Sequence, residues 1–480
     1  MAGRASLRTS RRRAEGPEAW RPRRRTRRER LTKYERYWDK PRETMDPGRR
    51  ERLILERLQQ QLRYVYERLP FYRRHYDAHG LEPSTVSSLE DFTRKVPVVT
   101  KQMLVDDQAE HPPFGSYLGA DRSALARVQG SSGTTGVPTM YGVSTEDWQR
   151  GSEMMAMGLW CCGVRPDDVV QILFPFGLFF GGWGVLQGVE RIGACAFPIG
   201  ASVSSERQIE LIRKLGTDVL IGTPSYIAHL GKQAAEIGVD TASTAVSLAM
   251  VAGEPGGSIP SVRRHISELW AGIDIVDAGP GVTSELYPFC SSTGCLEAEG
   301  GVHLYIDENY TEIVSKEDPN APVPVGTSGA AVSTHLWRKS QPMIRLWTGD
   351  EAVLDDAPCP CGRTYPRLPK GVKGRLDDML VIRGANVYPS AVEGVVREVE
   401  AAGAEYRIIV DRPAEMDEMT LQVEPSPNLP SAKWEGLRTE MEERLKRTLG
   451  LRIPVEVVEP GTHELQTFKA HRVIDRRRLG

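Results

Sequence analysis

Apolar and polar positions alternate along this chain with two distinct periods. In "RERLILERLQQQLRYVYERLPFYRRHYDAHG", Leu53, Leu55, Leu58, Leu62 and Val65 recur at three- and four-residue steps, which predicts a helix with one buried face. Further along, short apolar runs take turns with helical ones. "DVVQILF" predicts a strand, and "SSERQIELIRKLG" a helix that Ser204 or Ser205 would cap. "TDVLIG" and "AVSLAMVAG" predict strands, "GSIPSVRRHISELW" a helix and "GIDIVDAG" a strand. This rhythm predicts a layered α/β domain with a mostly parallel sheet. Such sheets bind ligands at the carboxyl ends of their strands, which here means the loops "IGTPS", "AGEPGG" and "DAGPGVTSE". The most apolar stretch, "VVQILFPFGLFFGGWGVL", is broken by Pro175 and several glycines. It predicts a buried strand and a glycine-rich turn, not a membrane span of roughly 18–20 residues.

The pattern changes after residue 310. "VPVGTSGAAVSTHLW" and "PMIRLWTGDEAVL" predict short antiparallel strands. "GRLDDMLVIRGANVYPSAVEGVVREVE" reads as strand, loop and helix, and "AEYRIIVD", "MTLQVEP", "WEGLRTEMEERLKRTLG" and "RIPVEVVEP" as β, β, α, β. Together they make an α+β unit of about 100 residues, enough for a domain. No internal repeat is visible.

Composition narrows the function classes. With 480 residues, 40% of them hydrophobic, the chain can build a large core in more than one domain. A net charge of −2 gives no global sign of a nucleic-acid partner. Seven cysteines, an odd count, and a charged N-terminus without an apolar signal segment predict a reduced, cytoplasmic protein. Residues 1–30 hold twelve arginines and few apolar groups, so residues 1–33 are expected to be a disordered extension. Two readings of it stand: a tail attracted to nucleic acid or membrane, or a solvated extension upstream of a start such as Met45.

The stretch "QGSSGTTGVPT" brings candidate chemistry. Gly133 and Gly136 allow a tight turn and a close approach of backbone to ligand. Four hydroxyls and the backbone N–H groups form a nest suited to oxyanions. It is not a P-loop, because Val137 and Pro138 follow the second glycine where Lys-Ser/Thr would be needed.

"SSGTTGVP", "AGEP", "TGD", "GRLDDMLVIRGANVYP" and "KAHRVIDRR" follow one another in this order. Together they resemble the acyl-adenylate-forming (AMP-binding) superfamily. "YERYWD", "ERLPFYRRHYD", "FGLFFGGWG", "GTPSYIAHL" and "CPCGRTYPRL" narrow the resemblance to phenylacetate–coenzyme A ligases and related aryl-acid ligases. It spans about residue 34 to residue 480. The resemblance implies an N-terminal AMP-binding domain over 34–375 and a small mobile C-terminal α+β domain over 376–480. The implied reaction joins a carboxylic acid, aryl in kind (phenylacetate-like or benzoate-like), to ATP as acyl-AMP and then to coenzyme A, with Mg²⁺ neutralising the phosphates.

By the same resemblance, Ser131, Ser132, Gly133, Thr134, Thr135 and Gly136 would hold the β- and γ-phosphates. Glu285 would help hold the metal. Gly253, Glu254 and Pro255 would lie beside adenine, Asp350 would bind the ribose hydroxyls, and Arg375 would sit near ribose and phosphate. Asp377 falls at the hinge, and Arg383, Gly384, Ala385 and Asn386 would face the thiol tunnel. Lys469 matches the catalytic lysine of the C-terminal domain. Phe174, Phe176, Phe179 and Tyr226 would wall the acid, though each also reads as an ordinary core aromatic.

Cys295, His303, Cys359 and Cys361 form a Cys₃His set suited to structural zinc, with Cys290 as a competitor for Cys295; the alternative is free thiols. Cys161, Cys162 and Cys195 lie in apolar text and read as core.

Three departures touch the ATP site. Val137 stands where family members carry lysine or arginine, "GPGVTSE" lacks the usual aromatic-Gly pair, and bulky Phe468 precedes Lys469. Two alternatives therefore remain beside the coenzyme A ligase: transfer of the acyl group to a carrier protein or an amine, and a degenerate homologue that binds without turnover. A homodimer is compatible with the sequence, and neither a specific nucleic acid nor a membrane is expected as a partner.

Overall fold

The fold is that of a computed structural model, which describes residues 23–131, 139–178, 180–200, 203–253, 256–279, 285–288, 290–376, 380–382, 385–387, 389–411, 418–463 and 472–476. At its centre lies a five-stranded sheet in the order Cys195–Phe197, Val169–Ile172, Val219–Gly222, Leu248–Val251, Asp274–Asp277. Each neighbouring pair is parallel. Helices cover both faces, which is why the strands are continuously apolar. Val170, Ile172, Ile221 and Met250 pack with Met154, Val185 and Val189 of helices Thr145–Cys162 and Phe180–Ile192. Leu220, Ala249 and Val251 pack with Ile209, Ile227 and Ile266 of helices Ser205–Leu215, Pro224–Glu236 and Pro260–Leu269. Local signals place these elements. The Ser204 hydroxyl accepts from the Arg207 N–H at 3.3 Å to start its helix, and Gly216, at φ 62°, ends it.

One expectation fails here. The "glycine-rich turn" is the helix Phe180–Ile192. Glycine disfavours helix by about 1 kcal/mol relative to alanine, yet here it is what permits the packing. A Cβ on Gly184 would fall 1.9 Å from the Tyr287 hydroxyl, and one on Gly188 would fall 2.5 Å from Met155 Cγ. Close tertiary contact overrides local propensity. A smaller shift occurs in helix Pro47–Arg68, whose buried seam runs through Ile54, Leu58, Leu62 and Val65, with Leu53 and Leu55 on its flanks.

Beside the central sheet stands an antiparallel sheet of Asn309–Val314, Ser328–His335, Leu346–Val353 and Val372–Arg375. Strands Leu125–Gly130 and Met140–Ser144 form a hairpin around residues 132–138. From Leu380 onward the chain has its own core. Val392, Val395, Tyr406, Ile408, Leu421, Leu437 and Met441 gather on a mixed sheet ordered Val455–Val457, Glu418–Pro425, Ala402–Asp411, Val473–Asp475. Among the described residues no helix is long and apolar enough to cross a membrane.

Residues 1–22 of the arginine-rich segment lie outside the described residues. Residues 23–33, expected to be disordered, are instead built into the fold. Thr26 caps a short helix, Arg27–Thr32. Arg30 is buried, with its guanidinium on Asp168 at 2.8 Å, the Gly163 carbonyl at 3.2 Å and the Ser247 hydroxyl at 2.7 Å. Arg25 reaches Asp168 at 3.1 Å and Asp218 at 3.7 Å, and Arg24 binds the carbonyls of Thr241, Trp270 and Ala271. These partners sit at the amino ends of the central strands, where buried carboxylates need cations. Burial pushes Asp218 up to about 6 even so.

Removing Arg30 takes from the buried Asp168 carboxylate its fully buried guanidinium partner and leaves only the partly exposed Arg25 beside it. Arg30→Met should therefore lower unfolding stability by about 3 kcal/mol, and a chain begun at Met45 should be less stable still. Denaturant melts of the two against the full chain measure this; unchanged midpoints would mean that the segment only rests on the surface.

Candidate active site

The carboxyl ends of the central strands meet the hairpin that carries the "SSGTTG" loop. Of that loop, Ser132, Gly133, Thr134, Thr135, Gly136 and Val137 lie outside the described residues; its neck does not. Ser131 is buried, and its hydroxyl pairs with the Thr139 hydroxyl at 2.8 Å. The Ser131 N–H donates to the Thr139 carbonyl at 3.0 Å. Ser131 thus closes the loop at its base. Tyr141, buried on the outgoing strand, donates to Thr139 Oγ1 at 2.8 Å and also lies 3.2 Å from Glu285 Oε1. Burial, and next the charge of Glu285, hold the Tyr141 phenol well above its ordinary value, so it stays a donor.

Glu285 is buried in a turn fixed through its backbone. Arg338, wholly buried, donates to the carbonyls of Glu285 at 3.0 Å and Tyr287 at 2.6 Å, and to Gly142 of the hairpin at 3.3 Å. His335 accepts from the Met343 N–H at Nδ1, 2.9 Å, so its proton sits on Nε2 and points to the Leu286 carbonyl at 2.8 Å. Burial, then the Arg338 charge, push this imidazole down to about 3. The carboxylate itself faces Tyr141 and the ammonium of Lys101, 3.2 Å away.

Strand register pairs two of the expected nucleotide residues. Asp350 lies directly opposite Arg375 on adjacent antiparallel strands. Gly349, at φ 76°, needs the left-handed backbone that glycine tolerates, and its carbonyl accepts the Leu376 N–H at 2.6 Å. Gly253, at φ 85°, ends the strand Leu248–Val251; a Cβ there would sit 3.6 Å from Thr223 Cγ2 and 3.8 Å from Phe174 Cε1.

The aromatic residues divide. Phe174 and Phe176 both lie on the segment leaving strand Val169–Ile172, and Phe176 meets Trp183 edge-on at 5.1 Å. The carbonyl of Leu178, in the same segment, accepts the Gly130 N–H at 3.0 Å, tying this wall to the loop's neck. Tyr226 belongs to the core on the other face of the sheet and stacks on His229 at 6.0 Å, so it does not join Phe174 and Phe176. Phe179, Glu254, Pro255, Asp377, Arg383, Gly384, Phe468 and Lys469 lie outside the described residues. Ala385 and Asn386 are placed on the strand Ala385–Val387.

A second cluster stands apart. Ligand atoms of Cys295, His303, Cys359 and Cys361 all lie within 4.8 Å of one another, and all four residues are buried. Cys295 Sγ is 3.7 Å from Cys359 Sγ, and Cys361 Sγ is 3.3 Å from His303 Nε2. A tetrahedral ion with metal–sulfur bonds of about 2.3 Å has sulfur–sulfur edges of about 3.8 Å, so the donor set fits zinc. Hydrogen bonding from the Cys295 thiol favours thiolates at Cys359 and Cys361. Cys290 is elsewhere, against the Ser292 carbonyl, and burial pushes it and Cys161 up to about 12.

Tyr141, Arg338, His335 and Lys101 were not among the sequence candidates. The contacts that tie each of them to the Glu285 turn span many residues, and no local motif marks them.

Residues 384–477 match the AMP-binding enzyme C-terminal domain. The phenylacetate–coenzyme A ligase of Thermus thermophilus is 33% identical over 460 residues, covering 91% of this chain and 98% of its own. Among solved structures, 2-hydroxyisobutyryl-CoA ligase with its acyl-AMP, in a postadenylation state, is 40% identical with a TM-score of 0.88 and covers 92% of each chain. The same ligase with acyl-AMP and CoA, in its thioesterification state, aligns at 41% identity with a TM-score of only 0.70, over 92% of this chain and 93% of its own.

Because His335 is neutral when folded and titrates near 6.5 when unfolded, the unfolded chain binds more protons between those values. Stability is full above pH 6.5 and falls as pH drops toward 3, by at most about 1.4 kcal/mol per unit from this group. Melting from pH 7.5 to 5 should show this decline, with a shallower slope for His335→Gln. Equal slopes would assign the acid sensitivity to other groups.

Proposed function

This chain belongs to the phenylacetate–coenzyme A ligase family of adenylate-forming enzymes, and we propose how its own residues divide that family's work. It is an AMP-forming acid–thiol ligase. A carboxylate oxygen attacks the α-phosphorus of ATP and pyrophosphate leaves. The thiol of coenzyme A then attacks the acyl carbon and AMP leaves. The observation that carries the residue assignment is the hydrogen-bonded chain from the loop's neck, Ser131–Thr139–Tyr141, to Glu285. It couples the phosphate loop, Ser131 to Gly136, to the carboxylate that would hold Mg²⁺, a hard cation suited to oxygen ligands. The ion's contribution is to neutralise phosphate charge; Tyr141 and Arg338 hold Glu285 in place for it. Asp350 would take the ribose hydroxyls, Arg375 the neighbouring phosphate, and Gly253 to Pro255 the adenine edge.

Residues 376–480 would turn about Asp377 between the two half-reactions. The two TM-scores against one related ligase support this: the present arrangement is nearer that protein's postadenylation state. In the adenylating pose Lys469 would reach the α-phosphate, and in the other pose Arg383 to Asn386 would face the thiol. The acid's apolar part would lie against Phe174 and Phe176, which favours an aryl acid. A compact branched 2-hydroxy acid is a second reading, favoured by the 40% identity to 2-hydroxyisobutyryl-CoA ligase.

A hydroxylamine-trapping screen with phenylacetate, benzoate and 2-hydroxyisobutyrate identifies the acid, and repeating it with coenzyme A or a carrier protein identifies the acceptor. No hydroxamate from any acid of a broad panel would favour the degenerate alternative. Lys469→Ala should abolish acid-dependent pyrophosphate exchange while ATP still binds; retained exchange removes this lysine from the chemistry.

The Cys295, His303, Cys359, Cys361 cluster would hold a structural zinc. Beside it Tyr37 donates to the Cys361 carbonyl at 3.1 Å, and Arg363 pairs with buried Glu43 at 2.5 Å, so the ion would brace residues 37–43 against 359–365. Chelator-washed protein should retain about one zinc per chain. Less than about 0.2 would leave four free donors, and Cys359→Ser should then not change the melting temperature.

A further inference from the structure

A cavity of about 290 Å³ lies between the start of helix Pro47–Arg68 and the segments that carry Asp307 and Trp337. We propose that it is a second ligand site, which takes a small monocarboxylate with an apolar body. None of its lining residues is among those assigned above to ATP, the acid or coenzyme A, and the proposal does not depend on the adenylation reading.

Size sets the first limit. Small-molecule pockets run from roughly 300 Å³ upward, so this cavity suits a single ring or a short branched chain.

The second limit is the wall. Pro41, Met45, Leu53 and Trp337 give it an apolar side. The Trp337 ring is clamped: its Nε1 donates to the Asp307 carbonyl at 2.8 Å, and the guanidiniums of Arg57 and Arg150 each lie over the ring, 3.8 Å from its centroid. A wall already held in place costs a ligand little ordering.

Charge carries the argument furthest. Three arginines line the cavity, and two are committed. Arg42 pairs with Asp307 at 3.0 Å and Glu308 at 2.7 Å, and Arg150 pairs with Glu308 at 2.6 Å. The third, Arg49, is exposed, and among the described residues no carboxylate lies within ion-pair distance of it. An exposed arginine signifies little by itself. This one stands four residues before Leu53 on the same helix, so the free cation and the apolar side share one face.

Against the three arginines the lining sets two aspartates, Asp39 and Asp307, which leaves one positive charge over. Both aspartates already have partners. Asp307 accepts from the Tyr365 hydroxyl at 3.1 Å as well as from Arg42, and Asp39 accepts the Arg42 N–H at 3.2 Å. The fork of a guanidinium matches the two oxygens of a carboxylate. A dianion such as a phosphate monoester would bring its second charge toward the aspartates. The cavity also adjoins the catalytic groove: Trp337 directly precedes Arg338, whose guanidinium holds the Glu285 turn.

Calorimetric titration of the full chain, without ATP, by benzoate, benzamide and phenyl phosphate tests this. Leu53→Trp fills the cavity without touching Phe174 or Phe176, so it separates this site from the acid's wall. Benzoate binding at this site should vanish in Leu53→Trp and weaken at least tenfold in Arg49→Gln. Benzamide, neutral and of the same shape, should bind at least tenfold more weakly than benzoate, and phenyl phosphate no more tightly. Crystals soaked in 4-bromobenzoate should show bromine between Arg49 and Trp337. Absence of saturable benzoate binding, or binding that both variants keep, would overturn the proposal. So would bromine confined to the wall of Phe174 and Phe176. Benzamide equal to benzoate, or phenyl phosphate tighter than it, would overturn the monocarboxylate class. If Leu53→Trp does not fold, unchanged benzoate affinity in Arg49→Gln, a substitution at an exposed position, overturns the proposal by itself.

Discussion

Parallel pairing of the five central strands constrains everything built around them. Because all five point the same way, their amino ends collect on one side and their carboxyl ends on the other. The amino side buries Asp168 and Asp218, and these carboxylates need compensating cations. Arg25 and Arg30 provide them, drawn from a segment whose composition alone would leave it in solvent. The carboxyl side keeps its loops free for ligands: Phe174, Gly253 and the Glu285 turn all lie there. One directional constraint thus separates a structural end from a chemical end.

At the chemical end, positions are set by bonds to backbone more than by ion pairs. Arg338 spends its donors on three carbonyls, and His335 stays neutral between an N–H and a carbonyl. The Glu285 backbone is therefore fixed without engaging its carboxylate. That group keeps the partners chemistry can exchange, a phenol and an exposed ammonium.

What the sequence made legible is what is local. Helix Ser205–Leu215 announces itself by Ser204 and Gly216, and the central strands by unbroken apolar runs. The Cys₃His set was legible by residue type, three thiols and an imidazole, although its spacing is no standard finger pattern and left Cys290 as a competitor for Cys295. The helix Phe180–Ile192 was not, because its glycines argue against helix until Tyr287 and Met155 are seen pressed against them. Nor was Arg338, whose bond to the Glu285 carbonyl spans 53 residues and leaves no trace in local pattern. Counting charges also misjudged residues 23–33, because a count does not reveal which buried carboxylates await them. Tyr226, read with the acid's wall, faces the other core because strand and helix direction, not residue type, decide the face.

The pairing of Asp350 with Arg375 has a mechanical side. The ladder that sets them opposite each other ends where the Leu376 N–H meets the Gly349 carbonyl, next to Asp350 itself. The chain therefore leaves the large body from the strand paired with the one proposed to grip the ribose, one residue before the proposed pivot. If Asp377 is the pivot, a rotation about it would act directly on the ladder that holds Asp350. Swing of the small body and tension on a nucleotide held by Asp350 would then be geared together, with no relay across the protein between them.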